Sequence, residues 1–97
     1  MSVARLRYSA SAAHDLARLA RFLHEADPQE AVKTIPLIVS ALDMLRLHPN
    51  IGRRCGNQLR ELVISRGKTG YVALYRYDEI RDLVRVLAIR HQREVGL

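Results

Sequence analysis

Hydrophobic and polar residues alternate at the start of the chain and then switch to a longer period. Residues 3–8 (VARLRY) place Val3, Arg5 and Arg7 on one face and Ala4, Leu6 and Tyr8 on the other. This alternation predicts a short strand with one buried face. Over residues 11–26 apolar positions recur every three or four residues, the spacing of an amphipathic helix. Asp27, Pro28 and Glu30 then form a helix start with a capping-box-like spacing, so a second helix is predicted to reach about Leu47.

The second half of the chain consists of shorter segments separated by turn residues. Residues 48–57 contain one proline and two glycines and predict a loop. Three strands are predicted at 59–65, 71–77 and 82–90, and their short spacing favours an antiparallel meander. Each strand carries apolar residues on both faces, so we expect the helices to cover one face of the sheet and a partner to cover the other.

The expected fold class is therefore α+β. The element order is β-α-α-β-β-β, with a small antiparallel sheet packed against an α-helical hairpin in a single domain of residues 1–97. Within it, Ser9 or Ser11 is expected to cap the first helix and Asp15 to favour its dipole. Pro36 is expected to kink the second helix or loosen one of its turns.

Composition narrows the function classes. The 97 residues include one cysteine, Cys55, which excludes an internal disulfide framework and a multi-cysteine zinc site. The four histidines share no ligand spacing and the glycines match no phosphate-binding loop, so we expect neither a metal nor a cofactor. The N-terminus shows no signal peptide and no apolar run could span a membrane, so a cytoplasmic protein is expected.

A net charge of +6 with a pI near 10.2 suits a polyanion or an acidic partner protein. The richest group of candidate residues lies in and next to the predicted C-terminal sheet, where arginines occur together with a tyrosine and a histidine. The candidate functional residues are Arg60, Tyr75, Arg76, Arg90, His91 and Arg93, with Arg85 nearby.

These side chains support three interpretations. If the strands pair in simple register, Arg60, Arg76 and Arg90 approach one another on one face and could stabilise a phosphoryl transition state, with His91 or a tyrosine as general acid or base. The same arginines could instead bind carboxylates of a partner. They could also be structural, lying over apolar neighbours.

Five segments carry a resemblance to a known family. They are SASAAHDL (9–16), LRLHPNIGR (45–53), LRELVI (59–64), YVALYR (71–76) and VLAIRHQR (86–93). In this order they resemble the RelE/ParE superfamily of toxins from type II toxin–antitoxin systems, over nearly the whole chain. The resemblance implies a small antiparallel sheet packed by a helical hairpin, in agreement with the order predicted from the residue pattern.

The superfamily has two main activities. RelE-like members are ribonucleases that cut messenger RNA, usually on the ribosome, whereas ParE-like (plasmid stabilisation) members poison DNA gyrase without a known catalytic centre. The RelE-like pattern has basic residues where this chain has Glu61, Val63 and Val72, and an aromatic residue near the C-terminus, where this chain ends Val95-Gly96-Leu97. The resemblance therefore favours a ParE-like toxin that inhibits gyrase and is not an enzyme.

Two alternatives stay open at this point. One is a RelE-like endoribonuclease acting on mRNA at the ribosome, with His91 as acid or base. The other is an inactive member that serves only as an antitoxin partner. In every case the resemblance implies a cognate antitoxin in a toxin–antitoxin hetero-oligomer, with an acidic tail that orders on the toxin. The first strand and the helical hairpin are the expected docking surfaces.

Overall fold

The computed structural model describes residues 3–66 and 69–92, and it has two helices on one face of a five-stranded sheet. The elements are β1 (Arg5–Tyr8), α1 (Ala10–Ala26), α2 (Pro28–Asp43), a 3-10 turn (Met44–Arg46), β2 (Arg53–Gly56), β3 (Leu59–Arg66), β4 (Thr69–Asp78) and β5 (Leu83–His91). The α+β class and the helical hairpin are confirmed.

The sheet differs from the predicted one in two respects. Its strand order is β1-β5-β4-β3-β2, and β1 pairs with β5 in parallel, so the sheet is mixed rather than antiparallel. The predicted 48–57 loop also contains β2, a fourth C-terminal strand that pairs with the start of β3. The direction of β1 was missed because a period-two pattern identifies a strand but does not encode the direction of its neighbour. The strand β2 was missed because all four of its residues are exposed, so it shows no apolar alternation.

Both helices begin at the capping residues that the sequence predicted. The Ser9 hydroxyl accepts from the Ala12 amide at 3.0 Å, and the Asp27 carboxylate accepts from the Glu30 amide at 3.2 Å, so these residues cap α1 and α2. The second helix is shorter than predicted, because residues 44–46 tighten into a 3-10 turn. Leu45 in that turn is still fully buried, which explains why its helical spacing extended the prediction.

The core lies between the helices and the sheet. The largest fully buried side chains are Tyr71, Tyr75, Ile38, Leu42, Leu45, Ile89, Val84 and Val86. They come from α2, the 3-10 turn, β4 and β5. Burying their apolar area contributes about 25 cal/mol for each Å² removed from water, and it fixes which face of the sheet is turned toward the helices.

The N-terminal end of α1 covers the edge of β5 beyond the end of β1. The Ser9 amide donates to the Val86 carbonyl at 2.9 Å and its hydroxyl donates to the Leu87 carbonyl at 3.2 Å. Six residues later, the buried Asp15 carboxylate accepts a hydrogen bond from the Ile89 amide at 3.0 Å. Asp15 therefore completes the hydrogen bonding of a strand edge, and its expected place near the helix dipole is not its main role.

Candidate functional site

A β-bulge decides which side chains of β5 share a face. The β4–β5 register shifts between Leu74 and Tyr75, so Leu74 pairs with Ala88 while Tyr75 pairs with Val86. Val86 and Ile89, which differ in parity, consequently both point into the core. Strict alternation along 82–90 would put Ile89 on the face opposite Val86, and the bulge instead brings both to the core side.

The opposite side of the sheet, which we call the outer face, is turned away from the helices. By register and alternation it comprises Leu59, Glu61 and Val63 of β3, Val72, Leu74 and Arg76 of β4, and Arg85, Ala88 and Arg90 of β5. Val63 is 50 % exposed, and Val72, Leu74 and Ala88 are half-buried. The expected apolar second face is therefore present.

Glu61, Val63 and Val72, the positions at which the RelE-like pattern has basic residues, lie next to one another on the outer face. Val63 pairs directly with Val72, and Glu61 lies two residues before Val63 on the same face. Glu61 is tied to Arg53 of β2 by a short salt bridge. Arg90 pairs across the strand with Val72, but its guanidinium lies 2.6 Å from the Asp15 carboxylate. Both bordering cations are thus held by carboxylates, and the centre of this apolar patch is formed by valines.

Asp15 is ionised under ordinary conditions because of those contacts. Burial alone would raise the pKa of its carboxyl, but the Ile89 amide and the Arg90 guanidinium outweigh this effect. The pKa of Asp15 therefore lies below its usual value. Arg90 is charge-paired in the folded chain and keeps only part of its side chain, 44 %, exposed.

Two of the predicted site residues, Arg60 and Tyr75, hold a loop in place. They face each other across β3 and β4. The buried Tyr75 hydroxyl donates to the Pro49 carbonyl and accepts from the Gly52 amide, both at 2.8 Å. Arg60 donates to the Gly52 carbonyl at 2.8 Å and the Asn50 carbonyl at 3.1 Å. Burial raises the pKa of Tyr75, so its proton stays on the hydroxyl at neutral pH.

Gly52 is required in this loop by close packing. A Cβ at this position would lie 2.6 Å from the Tyr75 ring and 2.9 Å from the Glu61 carbonyl oxygen. Because the Gly52 backbone lies so close to the Tyr75 ring and to β3, a residue with a side chain fits here only if β3 or the ring moves. The glycine in the 45–53 segment therefore has a packing role beneath Tyr75.

The remaining predicted residues are dispersed. Arg76 is exposed on the outer face, opposite Arg85. His91 is half-buried and meets Tyr71 edge to face, with ring centroids 5.3 Å apart. Arg93 lies outside the described residues. Arg60 is on the helix-facing side and Arg90 is displaced along the sheet from Arg76, so the structure does not gather the three arginines on one face.

Sequence reasoning missed two features of the site. The first is the ion pair of Asp15 with Arg90, which joins residues 75 positions apart and has no local signal. The second is the row formed by Arg7, Arg85 and Arg76, which occupy directly paired positions on β1, β5 and β4. The alternation in 3–8 and in the later strands placed each arginine on a face, but only the strand order brings them together.

A concavity of about 660 Å³ opens where β3 begins and β4 ends. Its lining includes Asn50, Arg54, Gln58, Arg60 and Arg76. Asp78 and Glu79 also border it, and Asp78 is paired with Arg81 at 3.0 Å. Within the two described ranges, no three His, Cys, Asp or Glu side chains come together in a way that could hold a metal ion. The same ranges contain no helix with the length and hydropathy of a membrane span.

Comparisons with known proteins agree with this architecture. Chains of the chromosomal ParDE toxin–antitoxin system of P. aeruginosa and of the RelBE2 toxin–antitoxin complex of Mycobacterium tuberculosis have folds similar to that of this chain. The first superposes with a TM-score of 0.74 at 22 % identity, covering 92 % of this chain and 96 % of that one. The second has a TM-score of 0.58 at 24 % identity, covering 95 % and 94 %. The fold is thus shared with chains from two toxin–antitoxin systems.

Sequence comparisons identify the family. Residues 6–96 match the model of the ParE toxin of type II toxin–antitoxin systems, parDE. The chain is also 40 % identical over 83 residues to Toxin RelE3 of Caulobacter vibrioides, covering 86 % of this chain and 88 % of that protein. The chain therefore belongs to the ParE toxin family, within the RelE/ParE superfamily.

Proposed function

We propose that this chain is a ParE-like toxin that inhibits DNA gyrase by binding it in the cytoplasm, without catalysing a reaction. The supporting observation is the valine-centred patch on the outer face, where Val63 and Val72 pair and Glu61 is neutralised by Arg53. Cleavage of RNA by its 2′-hydroxyl needs a base, an acid and phosphate-binding cations in one place. An exposed apolar patch rimmed by charge instead suits a protein partner.

The test compares two activities of the purified chain. Added to gyrase and relaxed plasmid, it is expected to block supercoiling; added to ribosomes translating a defined transcript, it is expected to leave the transcript intact. A supercoiling reaction that proceeds unchanged while the transcript is cut would overturn the proposal.

A ribonuclease is the second candidate, favoured by a relative whose name is RelE and by the placement of His91 against Tyr71. In that case His91→Ala should abolish growth inhibition on induced expression, since no other imidazole lies on β4 or β5 to replace the acid or base. Undiminished growth inhibition by His91→Ala would argue against the ribonuclease and for a binding toxin.

We propose further that a cognate antitoxin covers the helical hairpin. The hairpin exposes large apolar side chains, including Phe22 of α1 at 60 % and Val32 of α2 at 68 %. Such side chains supply affinity to an amphipathic segment that orders on binding, and the positive net charge attracts an acidic one. The solved relatives with this fold come from ParDE and RelBE toxin–antitoxin systems.

The antitoxin proposal is tested with Phe22→Asp. Coexpression with the product of a neighbouring acidic reading frame should neutralise the wild-type chain but not this variant, because a carboxylate is placed in the apolar contact. Val63→Asp serves as the matched control on the other face and should still bind the antitoxin. Equal antitoxin affinity of wild type and Phe22→Asp would contradict docking on the hairpin.

A further inference from the structure

Three arginines line up across the outer face. Arg7 pairs with Arg85, and Arg85 pairs with Arg76, in consecutive positions on β1, β5 and β4. Directly opposite residues of neighbouring strands are about 5 Å apart at Cβ, and like charges in such pairs are destabilising. All three side chains are exposed. The fold therefore tolerates a repulsive arrangement that a mixed-charge surface would avoid.

Other arginines of the chain are held by carboxylates: Arg53, Arg81 and Arg90 pair with Glu61, Asp78 and Asp15. No ion pair in the described part of the chain includes Arg7, Arg76 or Arg85. A row of cations with no counter-charge among the described residues carries a local positive potential that attracts a polyanion.

The row ends at the concavity at the end of the sheet, which Arg76 lines. Arg54 of β2 also lines that concavity, but it pairs with Arg60 and so lies on the helix-facing side of the sheet. With strands about 4.8 Å apart, the row from β1 through β5 to β4 spans about 10 Å. We call Arg7, Arg85 and Arg76 the arginine track.

The spacing of the track fits a phosphate backbone. Each strand of duplex DNA presents one negative charge for about every 3.4 Å of helix axis, which is a regular line of charge. Arginine binds phosphate through two parallel hydrogen bonds. A line of three arginines, with neighbouring Cβ atoms about 5 Å apart, can therefore face successive phosphates of one strand.

Duplex rather than single-stranded nucleic acid is favoured by the position of the aromatic residues. Tyr71 and Tyr75 are buried in the core, and Tyr8 and Tyr77 pack against it. Phe22 lies on α1. None of the described aromatic side chains lies on the outer face, so unpaired bases have no stacking surface there.

We propose that the arginine track binds the phosphate backbone of duplex DNA. This inference goes beyond the proposed gyrase inhibition and does not depend on it, since the contact is made by the toxin alone. If gyrase is the target, the track lies on the same face as the valine-centred patch and could touch the DNA that the enzyme holds.

The test is the salt dependence of binding to a labelled duplex of about 20 base pairs, measured by fluorescence anisotropy with the purified chain. The logarithm of the binding constant falls with the logarithm of salt concentration by about 0.9 for each phosphate neutralised. The double variant Arg76→Gln/Arg85→Gln should lower that slope by about 2. The control Arg21→Gln/Lys33→Gln removes the same charge from exposed helix positions and should leave the slope unchanged.

Three outcomes of this experiment would overturn the proposal. Equal slopes for the two double variants would mean that net charge alone attracts DNA. Absence of duplex binding at low salt would exclude the track as a DNA site. Tighter binding of a poly-glutamate peptide than of the duplex, lost with Arg76→Gln/Arg85→Gln, would assign the track to an acidic polypeptide. Folding of every variant is checked by circular dichroism, and these readouts need no gyrase, so they stand apart from the supercoiling test.

Discussion

Single residues in this chain act over long sequence distances. Asp15 joins α1 to β5 through the Ile89 amide and the Arg90 guanidinium, and Tyr75 joins β4 to the 49–52 loop. Removing one member of such a pair leaves a buried polar group without its partner, which costs more than the pair contributes. Stability is therefore expected to depend on a few polar side chains as well as on the apolar core.

Asp15 makes stability depend on pH in the acid range. Its pKa is lowered in the folded state, so its contribution is fully present above the ordinary value of 3.8 and is lost as pH falls through the lower folded value. Asp15→Asn should be less stable by roughly 1.5–3 kcal/mol at neutral pH, the range for hydrogen bonds to charged groups.

Urea unfolding of both proteins at a series of pH values measures this effect. The difference between wild type and Asp15→Asn should shrink as the pH falls below the ordinary carboxyl pKa. A difference that stays constant down to the lowest pH at which both proteins fold would show that the charge of Asp15 is not involved.

Tyr75 is expected to be structural, although its position in the sheet made it a candidate for function. Tyr75→Phe removes a hydroxyl that pairs with two backbone groups, and we expect a loss of about 1–3 kcal/mol from the unpaired buried groups. Thermal unfolding measures it. If Tyr75→Phe were as stable as wild type but no longer inhibited growth, the hydroxyl would have a direct role in toxicity.

At the scale of elements, periodicity predicted both helices, their caps and four of the strands, β1, β3, β4 and β5. It could not supply β2, because Arg53, Arg54, Cys55 and Gly56 are all exposed and form a strand only by pairing with β3. Nor could it supply the direction of β1, which depends on the strand order of the whole sheet. A local pattern is encoded in neighbouring residues, whereas strand pairing depends on contacts between residues far apart in the sequence.

The bulge in β5 is the clearest case of this limit. Strict alternation assigned Ile89 and Arg90 to the wrong faces, and one extra residue, Leu87, exchanges them. Nothing in the segment 82–90 marks the bulge, since it contains neither glycine nor proline. The predicted convergence of Arg60, Arg76 and Arg90 was wrong for a different reason: Arg60 pairs with Tyr75 on the helix side of the sheet, and Arg90 lies opposite Val72 rather than Arg76.

The two faces of α2 give a matched prediction about packing. Ile38 is fully buried and its neighbour Val39 is 41 % exposed. Ile38→Ala should destabilise the chain by about 2–5 kcal/mol, since it removes core contacts and leaves a cavity. Val39→Ala should change stability by less than about 1 kcal/mol. Equal effects in denaturant unfolding would mean that α2 does not pack on the sheet as described.

At the scale of the whole molecule, the sheet separates two kinds of surface. Its helix side presents exposed apolar residues of the hairpin, which we assign to the antitoxin. Its outer face presents the valine-centred patch and the arginine track, which we assign to the target and to duplex DNA. This division predicts that variants on the two sides affect different partners.

The most direct test of a gyrase-binding toxin measures the equilibrium affinity of purified gyrase for three proteins: the wild-type chain, Val63→Asp and Val32→Asp. Each variant places a carboxylate at an exposed valine. We predict that wild type and Val32→Asp bind gyrase equally well and that Val63→Asp binds at least ten times more weakly. If gyrase binds none of the three, or binds all three equally well, the outer face is not a gyrase-binding surface.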